Sequence, residues 1–196
     1  MKRDDKYEKY KITKVSTDKV VTNVYMDAFH LEKVRFQNVL YKDAKNDIKV
    51  YVDFSVIARL AADVTTGRLF KKIEEEKNNP DNKSGKYIIN MGGNLEGNDG
   101  KPLSRVMDLG ISGNTIFVNM QEGPGREGDT GLIIPNGTPT KKISVPMSFE
   151  DFREMILYTN EWVRAYLVTM VRKLAMENDA ERKERQEQKE NKSANN

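Results

Sequence analysis

A short alternating strand that ends in a capping residue and turns at once into a helix occurs twice in this chain, and nothing else restricts its fold so much. In the later copy Ile143, Val145 and Met147 recur at period two, as a half-buried strand requires, and from Phe149 the apolar spacing becomes helical. In the earlier copy Ile48, Val50, Val52, Asp53, Phe54 and Ile57 align without a gap on Ile143, Val145, Met147, Ser148, Phe149 and Phe152. The copies lie 95 residues apart, from Ile48 to Ile143. That spacing is too long for a solenoid repeat and suits two strands-then-helix units within one domain.

The helix after the later junction is well specified. Ser148 is a good N-cap, Asp151 three residues on complements the helix N-terminus, and Met147 can staple onto Phe152. Residues 149–175 contain no Pro or Gly, and they place Phe149, Phe152, Ile156, Thr159, Val163, Tyr166, Leu167, Met170 and Leu174 on one side. Met155 and Trp162 widen this arc to about half the circumference, more than the stripe of about 100° that one sheet covers. The excess predicts a homo-oligomer, dimer or tetramer, with Met155, Trp162 and Tyr166 at the interface.

Taken in order, residues 1–18 form a polar lead-in. Residues 20–30 alternate with substantial side chains on both faces, and 33–41 form another strand with Val34, Phe36 and Leu40 on one face and Lys33, Arg35 and Tyr41 on the other. A polar turn leads to the strand 48–52 and to a helix burying Phe54, Ile57, Ala58, Ala61 and Val64, with a second helical segment over 68–77. The strand 86–91 precedes a stretch to Gly100 too rich in Gly and Asn for regular structure. Strands 103–112 and 115–121 meet at Gly113-Asn114, a hairpin signal. Residues 122–140, with five Gly and three Pro, are expected to be a long loop. The resulting organisation is a lead-in over 1–18, one domain over 19–176 with pseudo-repeats 19–77 and 86–176, and a charged, disordered tail over 177–196.

Composition narrows the chemistry. The chain has no cysteine and a single histidine, His30, which leaves no disulfide, no thiol nucleophile and no Cys/His zinc site. The N-terminal residues lack the apolar core of a secretory signal, and no run approaches a membrane span, so a cytoplasmic protein is expected, in the host cytoplasm if it is viral. There are 33 basic and 30 acidic residues, a net charge of +3. That balance permits a nucleic-acid partner without requiring one. Gly92-Gly93 carries no Gly-Lys-Ser/Thr, and Gly123 to Gly128 lacks a strand-to-helix setting, so neither is a nucleotide-binding motif. No paired-carboxylate spacing supports a Mg²⁺ nuclease, and no metal or cofactor is expected. An enzyme is therefore not the expectation.

The order of strands, helix, strands and long helix resembles the Whirly proteins and, more widely, the single-stranded-DNA-binding transcriptional coactivator fold, and with it bacteriophage single-strand binding proteins of that type. The likeness covers about residues 20–175 as topology. It is closest over 105–174, where Ser104-Arg105-Val106-Met107-Asp108-Leu109, Thr115-Ile116-Phe117-Val118-Asn119-Met120 and Ile143-Ser144-Val145-Pro146-Met147-Ser148-Phe149 stand in the family's order. The Val-Pro step before a Ser-capped helix is its most specific element, whereas the Lys-Gly-Lys-Ala-type strand of the plant members is absent. The resemblance implies an α+β fold of two strand-strand-strand-strand-helix units forming an antiparallel sheet backed by helices. It also implies a single-stranded-DNA-binding protein with little sequence preference, acting in replication, recombination or transcription.

Sequence-tolerant binding of a single strand needs cations for phosphates and aromatic faces for bases. On strand faces turned away from the helices, Tyr25, Phe29, Lys33, Arg35 and Tyr41 interleave three rings with two cations. Tyr51, Lys86, Tyr87, Arg105, Lys141 and Lys142 are further candidates. Strand aromatics also serve as cross-strand packing, which is the competing role for each ring. RNA as the ligand, or a non-enzymatic structural or assembly protein, viral or not, that uses its helix faces for protein contacts, are the alternatives.

Overall fold

A computed structural model describes residues 5–82, 85–97 and 100–194. The chain divides into a compact unit over residues 1–160 and a second unit, residues 161–196, in which one long helix continues to Ala194. The protein is α+β, with two antiparallel sheets of four and five strands and a C-terminal helix.

The first sheet is the meander β1 (Lys11–Ser16), β2 (Val20–Tyr25), β3 (Lys33–Leu40) and β4 (Asp43–Asp53), followed by the helices α1 (Phe54–Thr65) and α2 (Leu69–Asn78). The second comprises β5 (Tyr87–Asn94), β6 (Leu103–Ser112), β7 (Thr115–Glu127), β8 (Ile133–Pro135) and β9 (Lys141–Ser148), followed by α3 (Phe149–Ala194). Strand β7 pairs with β6, with β9 through residues 115–122 and with β8 through 125–127. Each half is thus a meander whose last strand runs into a helix. The sheet expected as one is two: the first ends at β4, and β5 pairs with β6 and not with β4.

Side-chain alternation explains the core. Register brings Val24, Phe36 and Val50 into one row of the first sheet, with Val34 beside Val52. In the second sheet Met107, Met120 and Ile143 form one row and Leu109, Val118 and Val145 another. All are buried, each contributing about 1.5–3 kcal/mol relative to exposure if its size is that of Val to Phe. The sheets meet through contacts of β3 with β9 and of β4 with β6 and β7. A fully buried polar side chain crosses this contact: the Asn38 amide nitrogen donates to the carbonyls of Val118 (2.9 Å) and Ile143 (3.2 Å), while its oxygen accepts from the Thr22 hydroxyl (2.8 Å). Asn38 and Thr22 are fully buried, so these bonds are what makes the amide tolerable there.

The two strand-to-helix junctions are equivalent. Ile48, Val50 and Val52 are buried on β4 before Phe54, and Ile143, Val145 and Met147 are buried on β9 before Phe149. Ser148 caps α3 as expected, accepting from the Asp151 N–H at 3.0 Å and donating its hydroxyl to the Asp151 carboxylate at 2.6 Å. Asp53 makes no such bond; its carboxylate pairs with Lys33 at 3.3 Å, and the Phe54 N–H donates to the Glu32 carbonyl.

Several local expectations change. The lead-in contains β1, which pairs with β2, so the first meander starts at Lys11 and not at 19. β2 stops at Tyr25, and the chain turns into a short 3-10 segment at Phe29–Leu31. α1 buries Leu60 and Asp63 while Ala58 is exposed, and Asp63 is held by Lys72 of α2 at 2.7 Å. The glycine-rich stretches taken for loops are strand: Gly92 and Gly93 lie in β5, and Gly123 and Gly125 in β7. Glycine is required there by close approach. A Cβ on Gly93 would stand 1.9 Å from the Leu103 carbonyl oxygen, and one on Gly123 2.7 Å from the Cα of Pro139. The tail expected to lack order is helical to Ala194, with Asn195 and Asn196 outside the described residues. Its Glu, Lys, Arg and Gln are all good helix formers. Among the described residues no helix is long and apolar enough to cross a membrane.

Candidate nucleic-acid interface

The face of the first sheet opposite its apolar rows carries Tyr25, Arg35 and Tyr51 in one register row, Asn23, Gln37 and Lys49 in the next, and Lys33 beside Asp53. Of the expected interleaving of Tyr25, Phe29, Lys33, Arg35 and Tyr41, this face holds Tyr25, Lys33 and Arg35, joined by the further candidate Tyr51, and these four differ in access. Arg35 is 3% exposed: its Nε donates to Asp27 at 2.9 Å, and its guanidinium carbon lies 4.0 Å from the centre of the buried Tyr25 ring. A charge so held is a structural cation–π and ion pair, not a phosphate contact. Tyr51, at 40% exposure, and the side chains of Lys33 and Lys49 remain open to solvent.

Two expected members are elsewhere. Phe29 is buried in the 3-10 segment, edge-on to Phe54 with ring centres 5.0 Å apart, because the end of β2 breaks the period-two alternation that placed it beside Tyr25. Tyr41 is exposed in the β3–β4 turn, its N–H on the Lys19 carbonyl, at the opposite end of β3 from Lys33.

Between β4 and β5 runs a cleft of about 330 Å³ lined by Lys33, Lys49 and Tyr51 from the first sheet and by Asn90, Asn94 and Arg105 from the second. Gly92, Gly93 and Gly131 bring backbone to its surface, and Leu132 adds an exposed alkyl group. Three cations line it against one carboxylate, Asp53. Arg105 is braced by Glu122 at 2.7 Å, and Glu122 also meets Lys141 at 3.7 Å. Lys141 further donates to the Asp47 carbonyl, so it ties the sheets together at this end. The Lys33–Asp53 and Lys49–Asp47 pairs are both 3.3 Å, with both lysines and Asp53 open to solvent and Asp47 part-buried, where it also accepts from Gln37. Pairs of that kind are worth about 0–1 kcal/mol and yield easily to a competing phosphate.

On the outer face of the second sheet Asp108 is buried and accepts from Asn119 (2.8 Å) and Gln121 (3.0 Å), with Lys86 at 3.6 Å. Lys142 stands exposed in the same recess. Lys86 and Lys142 therefore belong together, apart from the Lys33–Tyr51 cluster. Tyr87 points to the opposite face, where burial raises its hydroxyl above the usual tyrosine value; Arg59 and Lys72 oppose the rise while Asp63 and Glu76 add to it. That is a position under the helices, not a base platform.

Of the residues expected at an oligomer interface, Met155 is 2% exposed and part of the core, since the helix turns its early apolar residues inward. Trp162 is partly exposed and Tyr166 half-buried. Tyr158 is exposed as well, and further along α3 so are Leu167, Val168, Val171, Leu174 and Met176.

Lys49, Asn90 and Asn94 were missed by sequence reasoning. For Lys49 the signal was present, because it alternates in phase with Tyr51 on the same strand. Asn90 and Asn94 lay in a stretch read as strand end and loop, where alternation gives no guidance. Among the described residues no group of three or more His, Asp or Glu is placed to hold a metal. Comparison of the sequence with protein-family models and with curated proteins returns no match.

Proposed function

We propose that this chain is a non-enzymatic, Whirly-like single-stranded-DNA-binding protein with little sequence preference, serving replication, recombination or transcription. The observation that carries the proposal is the cleft between β4 and β5, with its three cations to one acid and the half-exposed Tyr51 ring among them. Phosphates replace the carboxylate partners of Lys33 and Lys49, Tyr51 stacks a base, and the Asn90 and Asn94 amides supply hydrogen bonds that suit any sequence. The two equivalent meander-to-helix junctions are in keeping with the family likeness. A homo-oligomer joined through α3 is part of the proposal, supported by exposure of 41–65% at Leu167, Val168, Val171 and Leu174.

The test is a fluorescence-anisotropy titration with oligo-dT, oligo-U and a duplex of equal length. Tighter binding of oligo-dT than of duplex is expected. Equal affinity for single strand and duplex refutes the proposal, and preference for oligo-U moves the ligand to RNA.

A further inference from the structure

Beside the β4–β5 cleft, on the outer face of the second sheet, lies a smaller slot of about 240 Å³. Ile88, Met91 and Val106 line it from β5 and β6, Pro135 from the end of β8 and Pro139 from the segment joining β8 to β9. Their position follows from register: Ile88 lies opposite Asp108 and Met91 opposite Val106, all on the face turned away from the core. A register shift between Ile88 and Asn90 keeps Ile88 outside, 38% exposed, while Ile89 is buried. The Gly123 position, where a Cβ would collide with Pro139, lets the proline segment approach this closely.

The slot is smaller than the roughly 300–1,000 Å³ of an ordinary small-molecule site, so it suits one planar ring system. Two lysines at its edge can meet phosphates, although Glu122 lines the slot and Asp108 the adjoining recess. Lys86 lines both the slot and the neighbouring recess that holds Lys142. The nearby carboxylates are already engaged, Glu122 by Arg105 and Lys141, and Asp108 by Asn119, Gln121 and Lys86. Met91 lines the slot and the β4–β5 cleft alike, so a chain lying in the cleft passes the mouth of the slot.

We propose that this slot takes one unstacked nucleobase of the bound strand, with the adjacent phosphates on Lys86 and Lys142. The inference rests on the single-strand function above. It places a base-docking site on aliphatic and proline surfaces, with no aromatic ring among them.

The experiment uses the full chain with labelled methyl groups, titrated with oligo-dT and followed by NMR, together with anisotropy on the Ile88→Glu variant. Saturable shifts of the Ile88, Met91 and Val106 methyls are expected. Ile88→Glu, on an exposed position of an edge strand, should keep the wild-type circular dichroism and bind about 5- to 150-fold more weakly, the range for one lost base contact. If the wild type binds oligo-dT while these methyls stay unmoved, or if the folded variant binds as tightly as the wild type, the slot assignment is overturned and the cleft stands. If the wild type binds no oligonucleotide, the function and the slot fall together.

Discussion

Salt offers the sharpest examination of the cleft. Lys33 and Lys49 line it, both open to solvent and each 3.3 Å from a carboxylate. The double variant Lys33→Gln with Lys49→Gln would remove two of the proposed phosphate contacts, and loss of such surface pairs costs the fold about 0–1 kcal/mol each. Arg35 is the wrong target for this purpose, since its charge is buried against Asp27 and its replacement would damage the sheet. Each phosphate neutralised on a single strand adds about −0.7 to the slope of log affinity against log salt. The double variant should therefore be shallower by about 1.4. Between 50 and 200 mM salt the advantage of the wild type should shrink about sevenfold, the fourfold salt change raised to that difference in slope. Anisotropy with a labelled oligo-dT at four or five salt concentrations measures both slopes. Parallel lines, with the variant weaker by a constant factor or not at all, would refute a role for these lysines in phosphate neutralisation.

Asn38→Ala removes three buried hydrogen bonds, to Val118, Ile143 and Thr22, and should destabilise the protein by about 3 kcal/mol. At about 2–4 °C per kcal/mol for a chain of this size, the melting temperature by circular dichroism should fall by about 6–12 °C. A fall under about 2 °C would show that the amide does not bridge the sheets. Burial raises the Tyr87 pKa, so the folded state holds this proton more tightly than the unfolded chain. Its contribution is full below about pH 10 and is lost as the pH rises through the folded value. Urea unfolding should show the wild type losing stability relative to Tyr87→Phe above pH 10, and a constant difference between the two from pH 8 upward would contradict the burial.

What was legible in the sequence is what periodicity encodes. The two junctions could be found because strand and helix spacing abut at Asp53 and at Ser148, and the Gly113-Asn114 turn fixed the β6–β7 hairpin. What was not legible depends on contacts distant along the chain. Gly93 and Gly123 read as loop because composition cannot distinguish a glycine that bends from one that lets another strand approach. Phe29 was misplaced because nothing local marks the end of β2 at Tyr25. Arg35 and Tyr25 were correctly put on one face, yet their ion pair and ring contact remove them from the solvent that a ligand must cross. The early part of the α3 stripe, including Met155, is consumed by the core, whereas Leu167 to Leu174 is exposed.

Asn38 also bears on why the two sheets settle in one relative position. Branched alkyl surfaces can slide across one another with little penalty, since each displaced methyl finds another hollow. An amide in the same layer cannot follow: away from the carbonyls of Val118 and Ile143 it would sit dry and unsatisfied, at about 1–3 kcal/mol. Only one alignment of the sheets escapes that penalty. The gap separating β4 from β5 is a product of this alignment, so a residue that does not line the cleft acts as the stop that determines how wide it opens.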